Sequence, residues 1–239
     1  MKNLKQIFVL ILCLAITACA DGQIRKTVYG NGKVVSKDRT PGQASGIRVS
    51  TGIDVYLTQG NNLKLVVEAD ENLHEYIITE VKNGVLYVYA DANIRDAEMK
   101  RVYVTLKEIN SVGTSSAGDV IGETPVETDD LRLSASSAGD IKLEVYANNI
   151  DANISSSGDV TLNGEADVLE ADLSSAGDLN AYNLRVKEAD ISVSSAGGAD
   201  IFVTEKLTAR ASSAGEINYK GDPRYVDAHS SSAGGIRRK

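Results

Sequence analysis

From residue 114 onward the chain alternates apolar and polar positions in short runs, and the runs break at a recurring block, Ser-Ser-(Ala/Ser)-Gly-(Asp/Glu/Gly). Counted from the glycine of each block, apolar residues return at −8, −6 and −4. Leu131, Leu133 and Ala135 precede one glycine; Ile150, Ala152 and Ile154 precede the next. They return again at +2 and +4, as Ile141 and Leu143 or Val160 and Leu162. A period of two on both sides of a glycine predicts two strands, each with one buried face, meeting at a corner. The glycines are Gly118, Gly139, Gly158, Gly177, Gly197, Gly215 and Gly234, at intervals of 21, 19, 19, 20, 18 and 19 residues. A unit of that length cannot bury its own apolar face, so the units must stack in register. The prediction is an all-β fold, a single-stranded right-handed parallel β-helix with coils of roughly 19 residues over 114–235. At about 4.8 Å per coil, seven coils make a section roughly 30 Å long.

Each position of the block has an expected task. The corner glycine supplies either a positive φ or a sharp turn free of a Cβ clash. Serine at −2 shares the phase of the buried positions and is expected to point inward, where stacked hydroxyls bond one another. Asp119, Asp140, Asp159 and Asp178 follow their glycines directly. Such a column is either a cation ladder or a set of turn residues accepting an N–H. Its breaks at Gly198, Glu216 and Gly235 favour the turn role and leave the four aspartates as weak metal candidates. No metal or other cofactor is expected. The 20-then-18 spacing reads as a two-residue insertion, Gly198-Ala199, which puts Asp200-Ile201 in the place of Asp140-Ile141.

The N-terminal half is β-rich but irregular. Ile47 and Val49, then Ile53, Val55 and Leu57, then Leu65 and Val67 alternate with polar residues, with a turn at 59–62. Residues 70–77 read as one or two helical turns capped by Asp70. Ile78–Lys82 and Val85–Ala90 flank Asn83-Gly84, a strong hairpin signal. This half is expected to begin the solenoid and cover one end. At the other end Arg237-Arg238-Lys239 follow the seventh block; that edge is expected either to be covered by this basic tail or to serve self-association into a homo-oligomer.

The first residues give a location. Lys2 and Lys5 precede an apolar run, Ile7–Ile16, and a small-residue stretch ending in Cys19, which reads as a secretory signal too short to span a bilayer. Ile16-Thr17-Ala18-Cys19 resembles a bacterial lipobox, in which cleavage before the cysteine leaves it to carry acyl chains. Cys13 departs with the signal, so lipidation accounts for the one remaining thiol. The expected organisation is a signal over 1–18, a tether over 19–27 and a solenoid domain over 28–236, with the membrane as partner through lipidated Cys19. Multiple acyl chains anchor stably, and the outer membrane of the cell envelope is the expected location. Cleavage removes two lysines and no acid, so the charge moves from −8 to −10. A chain this acidic, of pI about 4.9, is a poor nucleic-acid binder. Two Cys and two His exclude a disulfide scaffold and a Cys/His metal centre. The absence of Trp and the scarcity of Phe suit a thin core of Ala, Leu, Ile and Val.

Three further stretches carry a family resemblance: Gly52-Ile53-Asp54-Val55-Tyr56-Leu57-Thr58-Gln59-Gly60, Leu65-Val66-Val67-Glu68-Ala69-Asp70-Glu71-Asn72-Leu73, and the turn Lys82-Asn83-Gly84-Val85-Leu86. With the serine-glycine corners they resemble the head GIN domain of putative autotransporter adhesins, mostly exported proteins and lipoproteins of Bacteroidota, over about residues 28–235. Asp54 stands where that family's Gly-Ile-Asn has Asn. The resemblance implies a pectate-lyase-like right-handed β-helix, an adhesion role and no known catalytic residues.

The residues themselves point the same way. Acids follow the coil period, as on a solvated face; no Gly-x-Ser-x-Gly occurs; His74 and His229 lie in unlike settings. Tyr56, Tyr87, Tyr89, Tyr103, Tyr146 and Tyr182 suit either sugar stacking or exposed strand faces, and strand propensity is the preferred explanation. The expectation is a non-enzymatic, lipid-anchored adhesin or surface scaffold with a cell-surface glycan or protein as ligand. The alternative is an envelope β-helix that binds or degrades polysaccharide.

Overall fold

The structure is a computed structural model that describes residues 25–40 and 42–239. The expected signal, Cys19 and the start of the tether lie outside the described residues. The N-terminal half supplies β1 (Thr27–Tyr29), β2 (Val34–Arg39), β3 (Gly46–Val49), β4 (Asp54–Gln59), β5 (Lys64–Asp70), β6 (Ile77–Lys82), β7 (Val85–Ala90), β8 (Asn93–Arg95) and β9 (Lys100–Leu106). The repeats supply β10 (Ser111–Thr114), β11 (Asp119–Gly122), β12 (Val126–Ala135), β13 (Asp140–Ile154), β14 (Asp159–Leu173), β15 (Asp178–Val193), β16 (Gly198–Ala211), β17 (Glu216–Lys220), β18 (Tyr225–Ser230) and β19 (Gly235–Arg238).

From β10 to β19 every pairing is parallel and joins a residue to its counterpart one coil on. Ile141, Val160, Leu179, Ala199 and Ile217 are successive partners after the corner; Ala135, Ile154, Leu173, Val193 and Ala211 are successive partners before it. All ten are buried, and these columns form the core along the rod. Each middle coil is one long bent strand and not two short ones. In β13 burial alternates up to Val145, then Asn148 and Asn149 both face outward before Ile150 turns in again. That phase slip is the bend opposite the corner.

The register corrects one expectation. Gly198 stacks directly on Asp178 and Ala199 on Leu179, so no insertion follows Gly197. The irregularities lie farther on: between Ala181 and Arg185 β15 carries residues that β16 lacks, and between Val186 and Glu188 β16 carries one more than β15. A bulge there accommodates the odd spacing at a strand bend, where backbone pairing is easier to interrupt than at the packed corner.

The N-terminal half extends the stack and then closes it. β3 pairs with β10 and β4 with β11, so Ser50-Thr51-Gly52-Ile53 is a further corner of the same column. β7 adds to β3 and β9 to β4, still parallel. Beyond them the direction reverses: β6 lies antiparallel on β7, β5 on β9 and β2 on β5. Asn83 and Gly84 both hold positive φ in the hairpin turn, as a two-residue turn of this hand requires. The outermost strand β2 carries Lys37, Asp38 and Arg39, charges that discourage further edge pairing. The short parallel pair β1–β8 lies at this same end.

Asp70 departs from its expected role. A single 3-10 turn, Glu71–Leu73, follows it, and its side chain makes no cap bond. The buried carboxylate instead accepts the backbone N–H of Gly32 at 2.8 Å and of Met99 at 3.0 Å, tying two distant loops to the cap. Burial pushes this carboxyl up, but the backbone donors outweigh it and hold it below its usual range. At the far end the basic tail does not cover the rod. It forms β19, the last half-coil, with Arg237 paired to Glu216 and Arg238 to Asp222.

Candidate functional site

The site builds outward from the corner. In each block the residues at −2 and −1 hold positive φ, for example Ser137 at 52° and Ala138 at 59°, whereas the glycine itself does not. Two successive left-handed residues break the two-residue alternation, so Ser116, Ser137, Ser156 and Ser175 face solvent instead of the core. The glycine is needed for space. A Cβ on Gly158 would stand 2.6 Å from the Ala135 carbonyl carbon and 2.8 Å from the Ser136 nitrogen of the preceding coil. The corner remains tied to both neighbours: Ser136 N–H donates to Thr114 O and Ala138 N–H to Ser156 O, each at 3.1 Å.

On the face leading into the corner, outward residues line up in three rows. Serines at −3 are half-buried along Ser136, Ser155, Ser174, Ser194 and Ser212 and exposed at Ser231. At −5 stand Ser134, Asn153, Asp172, Ser192, Arg210 and His229, joined coil to coil by the strand register. At −7 the row is largely acidic, with Asp151, Glu170, Asp190 and Asp227. Between the first two rows runs an open groove of about 690 Å³ with Ile154, Leu173, Val193 and Ala211 at its base. The acidic row orients the groove's longer side chains: Asn153 Nδ2 donates to Asp151 at 2.9 Å, Arg210 pairs with Asp190 at 3.1 Å, and His229 Nε2 lies 2.9 Å from Asp227. The groove was missed in the sequence because its chemistry varies from coil to coil. The one available signal was that the −5 position is polar in every repeat from Ser134 on.

The aspartate column lies on the opposite side of the corner. Asp54, Asp119, Asp140, Asp159 and Asp178 are in register on successive coils. Burial first, then repulsion from Asp140 and the next carboxylate along, pushes Asp119 and Asp159 above the ordinary carboxylate range. Asp119 gains some relief from the backbone N–H of Asp140. Among the described residues no group of three His, Cys, Asp or Glu side chains is placed to hold a metal ion.

The six tyrosines do not converge. Tyr56 and Tyr103 stack on each other with centroids 5.1 Å apart and Arg101 beside them; Tyr89 bonds Glu80, Tyr146 bonds Glu144, and Tyr182 lies under the Lys220 ammonium at 4.1 Å. The histidines are equally separate. His74 is buried in the cap with Nε2 3.0 Å from Val35 O, and His229 is exposed in the last coil.

Fold and groove together define a capped parallel β-solenoid with a polar channel along one flank. The chain belongs to the family described as putative auto-transporter adhesin, head GIN domain, whose model matches residues 45–223. No curated protein matches it. Solved structures share the fold. One is a putative adhesin from Bacteroides fragilis, 22% identical, covering 89% of this chain and 100% of its own, with a TM-score of 0.82. A putative adhesin from Parabacteroides merdae is 22% identical over 90% of this chain and 99% of its own, with a TM-score of 0.73. A putative lipid binding protein from Parabacteroides distasonis is 23% identical over 90% of this chain and 100% of its own, also at 0.73.

Proposed function

We propose that this chain is a lipid-anchored, non-catalytic adhesin of the cell envelope, held to the membrane through Cys19. The observation that carries the reading is the stack itself, which repeats one polar surface coil after coil and so offers many weak contacts in a fixed line instead of one reactive centre. Family membership supports adhesion as the role. Arg25, six residues after Cys19, leads into β1 at the capped end, which is therefore the end that an anchor at Cys19 would hold. Among the described residues no helix is long and apolar enough to cross a bilayer, and the acidic surface gives anionic headgroups little to attract. Attachment then falls to the acyl chains. The serines argue for structure over chemistry, since each −2 hydroxyl sits on a left-handed corner residue that recurs with the same geometry in every block.

Fractionation of cells producing the wild-type chain or Cys19→Ala tests the anchor. The wild type is expected in the membrane pellet and the variant in the soluble fraction; retention of the variant in the pellet would refute it.

A further inference from the structure

We infer that the groove between the −3 and −5 rows binds an extended, neutral glycan lying along the rod axis. The inference rests on the adhesin reading and names what the adhesin grips. Six coils line the groove, from Ser134 and Ser136 to His229 and Ser231, so its polar groups recur every strand spacing over about 24 Å. A linear chain of sugar rings advances by a similar distance per ring, so successive rings meet equivalent hydroxyls.

The choice of a polyol follows from the chemistry of the rows. Six serine hydroxyls stand opposite one amide, one carboxylate, one guanidinium, one imidazole and two further hydroxyls. Most of these groups both donate and accept hydrogen bonds, as sugar hydroxyls do. Asn153, Arg210 and His229 are already turned toward Asp151, Asp190 and Asp227, which restricts their freedom before any ligand arrives and lowers the entropy lost on binding.

Other polymers fit less well. β12 to β16 beneath the groove pair on both sides and only β18 leaves an edge free, so an extended peptide lying along the groove crosses the strands and finds no backbone edge along its length to add to. The acidic row along the groove's outer margin repels polyuronates, sulfated glycans and nucleic acid. Neutral glycans carry no such penalty.

The test is calorimetric titration of the whole chain, purified in mild detergent, with neutral β-linked gluco-, xylo-, manno- and N-acetylglucosamine oligomers of two to eight rings. Oligogalacturonate and an extended serine-rich peptide serve as competitors. For at least one neutral series, affinity is expected to rise about tenfold from two rings to six and level off beyond, with little change between low and high salt. Asp172→Ala, at an exposed strand position, is expected to weaken binding, and Ser174→Tyr, which fills the groove, to abolish it, with unfolding midpoints near wild type. No binding at millimolar oligomer, affinity independent of length, indifference to both variants, or preference for the polyuronate or the peptide would each overturn the inference. Beads coated with the protein separate this from the adhesin reading. Retention on cells that survives Ser174→Tyr keeps adhesion and removes the groove; oligomer binding without retention keeps the groove and removes adhesion.

Discussion

Gly158→Ala is the sharpest test of how the corner works. The added Cβ would stand 2.6, 2.7 and 2.8 Å from three backbone atoms of Ala135 and Ser136, about 0.6–0.8 Å inside the 3.4 Å at which contact becomes ordinary. Those atoms sit in a hydrogen-bonded stack and cannot rotate away as a side chain would. Relief requires the two coils to part locally. Two of the three corner bonds across that step are Ser155 N–H to Ala135 O at 2.9 Å and Asp159 N–H to Gly139 O at 3.2 Å. Lengthening both by several tenths of an ångström carries the second beyond useful range. Losing one or two such bonds at about 1 kcal/mol each, with overpacking strain of about 1–3 kcal/mol, gives a loss of roughly 2–5 kcal/mol.

A neighbouring pair of glycines provides the control. A Cβ on Gly197 meets the Gly177 carbonyl oxygen at 2.9 Å, whereas on Gly198 it meets only Asp178 Oδ1, the mobile end of a side chain. Gly198→Ala should therefore stay within about 1 kcal/mol of wild type, while Gly197→Ala, with one backbone atom at 2.9 Å, costs more than Gly198→Ala and less than Gly158→Ala. Ala138→Gly, at φ 59°, should be neutral or mildly stabilising, because relief of left-handed strain offsets the added freedom of the unfolded chain. Urea unfolding followed by far-UV circular dichroism reads all four. Gly158→Ala within about 0.5 kcal/mol of wild type, or Ala138→Gly as harmful as Gly158→Ala, would refute the claim that space and not φ demands the glycine.

Two further predictions concern charge. Asp140→Asn removes a carboxylate that raises both Asp119 and Asp159, and should stabilise the rod at neutral pH by about 0.5 kcal/mol. A raised acid holds its proton more readily folded than unfolded, so these two groups weaken the fold as pH climbs from the ordinary carboxylate value through the raised one. The Asn variant's advantage should shrink on acidification, and an advantage that grew toward low pH would contradict the reading. Asp70 has the opposite sign: its depressed carboxyl contributes stability at neutral pH that is lost as pH falls through the depressed value. Asp70→Asn sets an amide N–H against one of its two backbone donors and should cost about 2 kcal/mol at pH 7; a wild-type midpoint at neutral pH would exclude that role.

The repeats were legible because they state one solution many times. Alternation at −8, −6 and −4 and again at +2 and +4 places Leu133, Ala152, Leu162 and their counterparts in the core, where the structure has them. Carrying that alternation to −2 failed, since a strand period holds only while the backbone is extended and Ser137 and Ala138 are left-handed. The corner at 50–53 escaped notice because its zero position is Ile53. The glycines relieve crowding against a preceding corner. The neighbour of 50–53 on the capped side has none, since β7 and β9 are joined by residues 91–99, and a full side chain fits.

Sequence alone determined the period, the fold class and the core columns, because each depends on local alternation repeated at a fixed spacing. It also determined the hairpin at Asn83-Gly84. Tertiary structure decided the remainder. It reversed strand direction at one end to close the rod, turned Asp70 from a helix cap into a buried clasp, and moved the expected insertion from 198–199 to a bulge after Ala181. It also made a groove from single residues about 19 positions apart, each unremarkable in its own repeat. Contacts between coils are set by register, and register exists only once the coils are stacked.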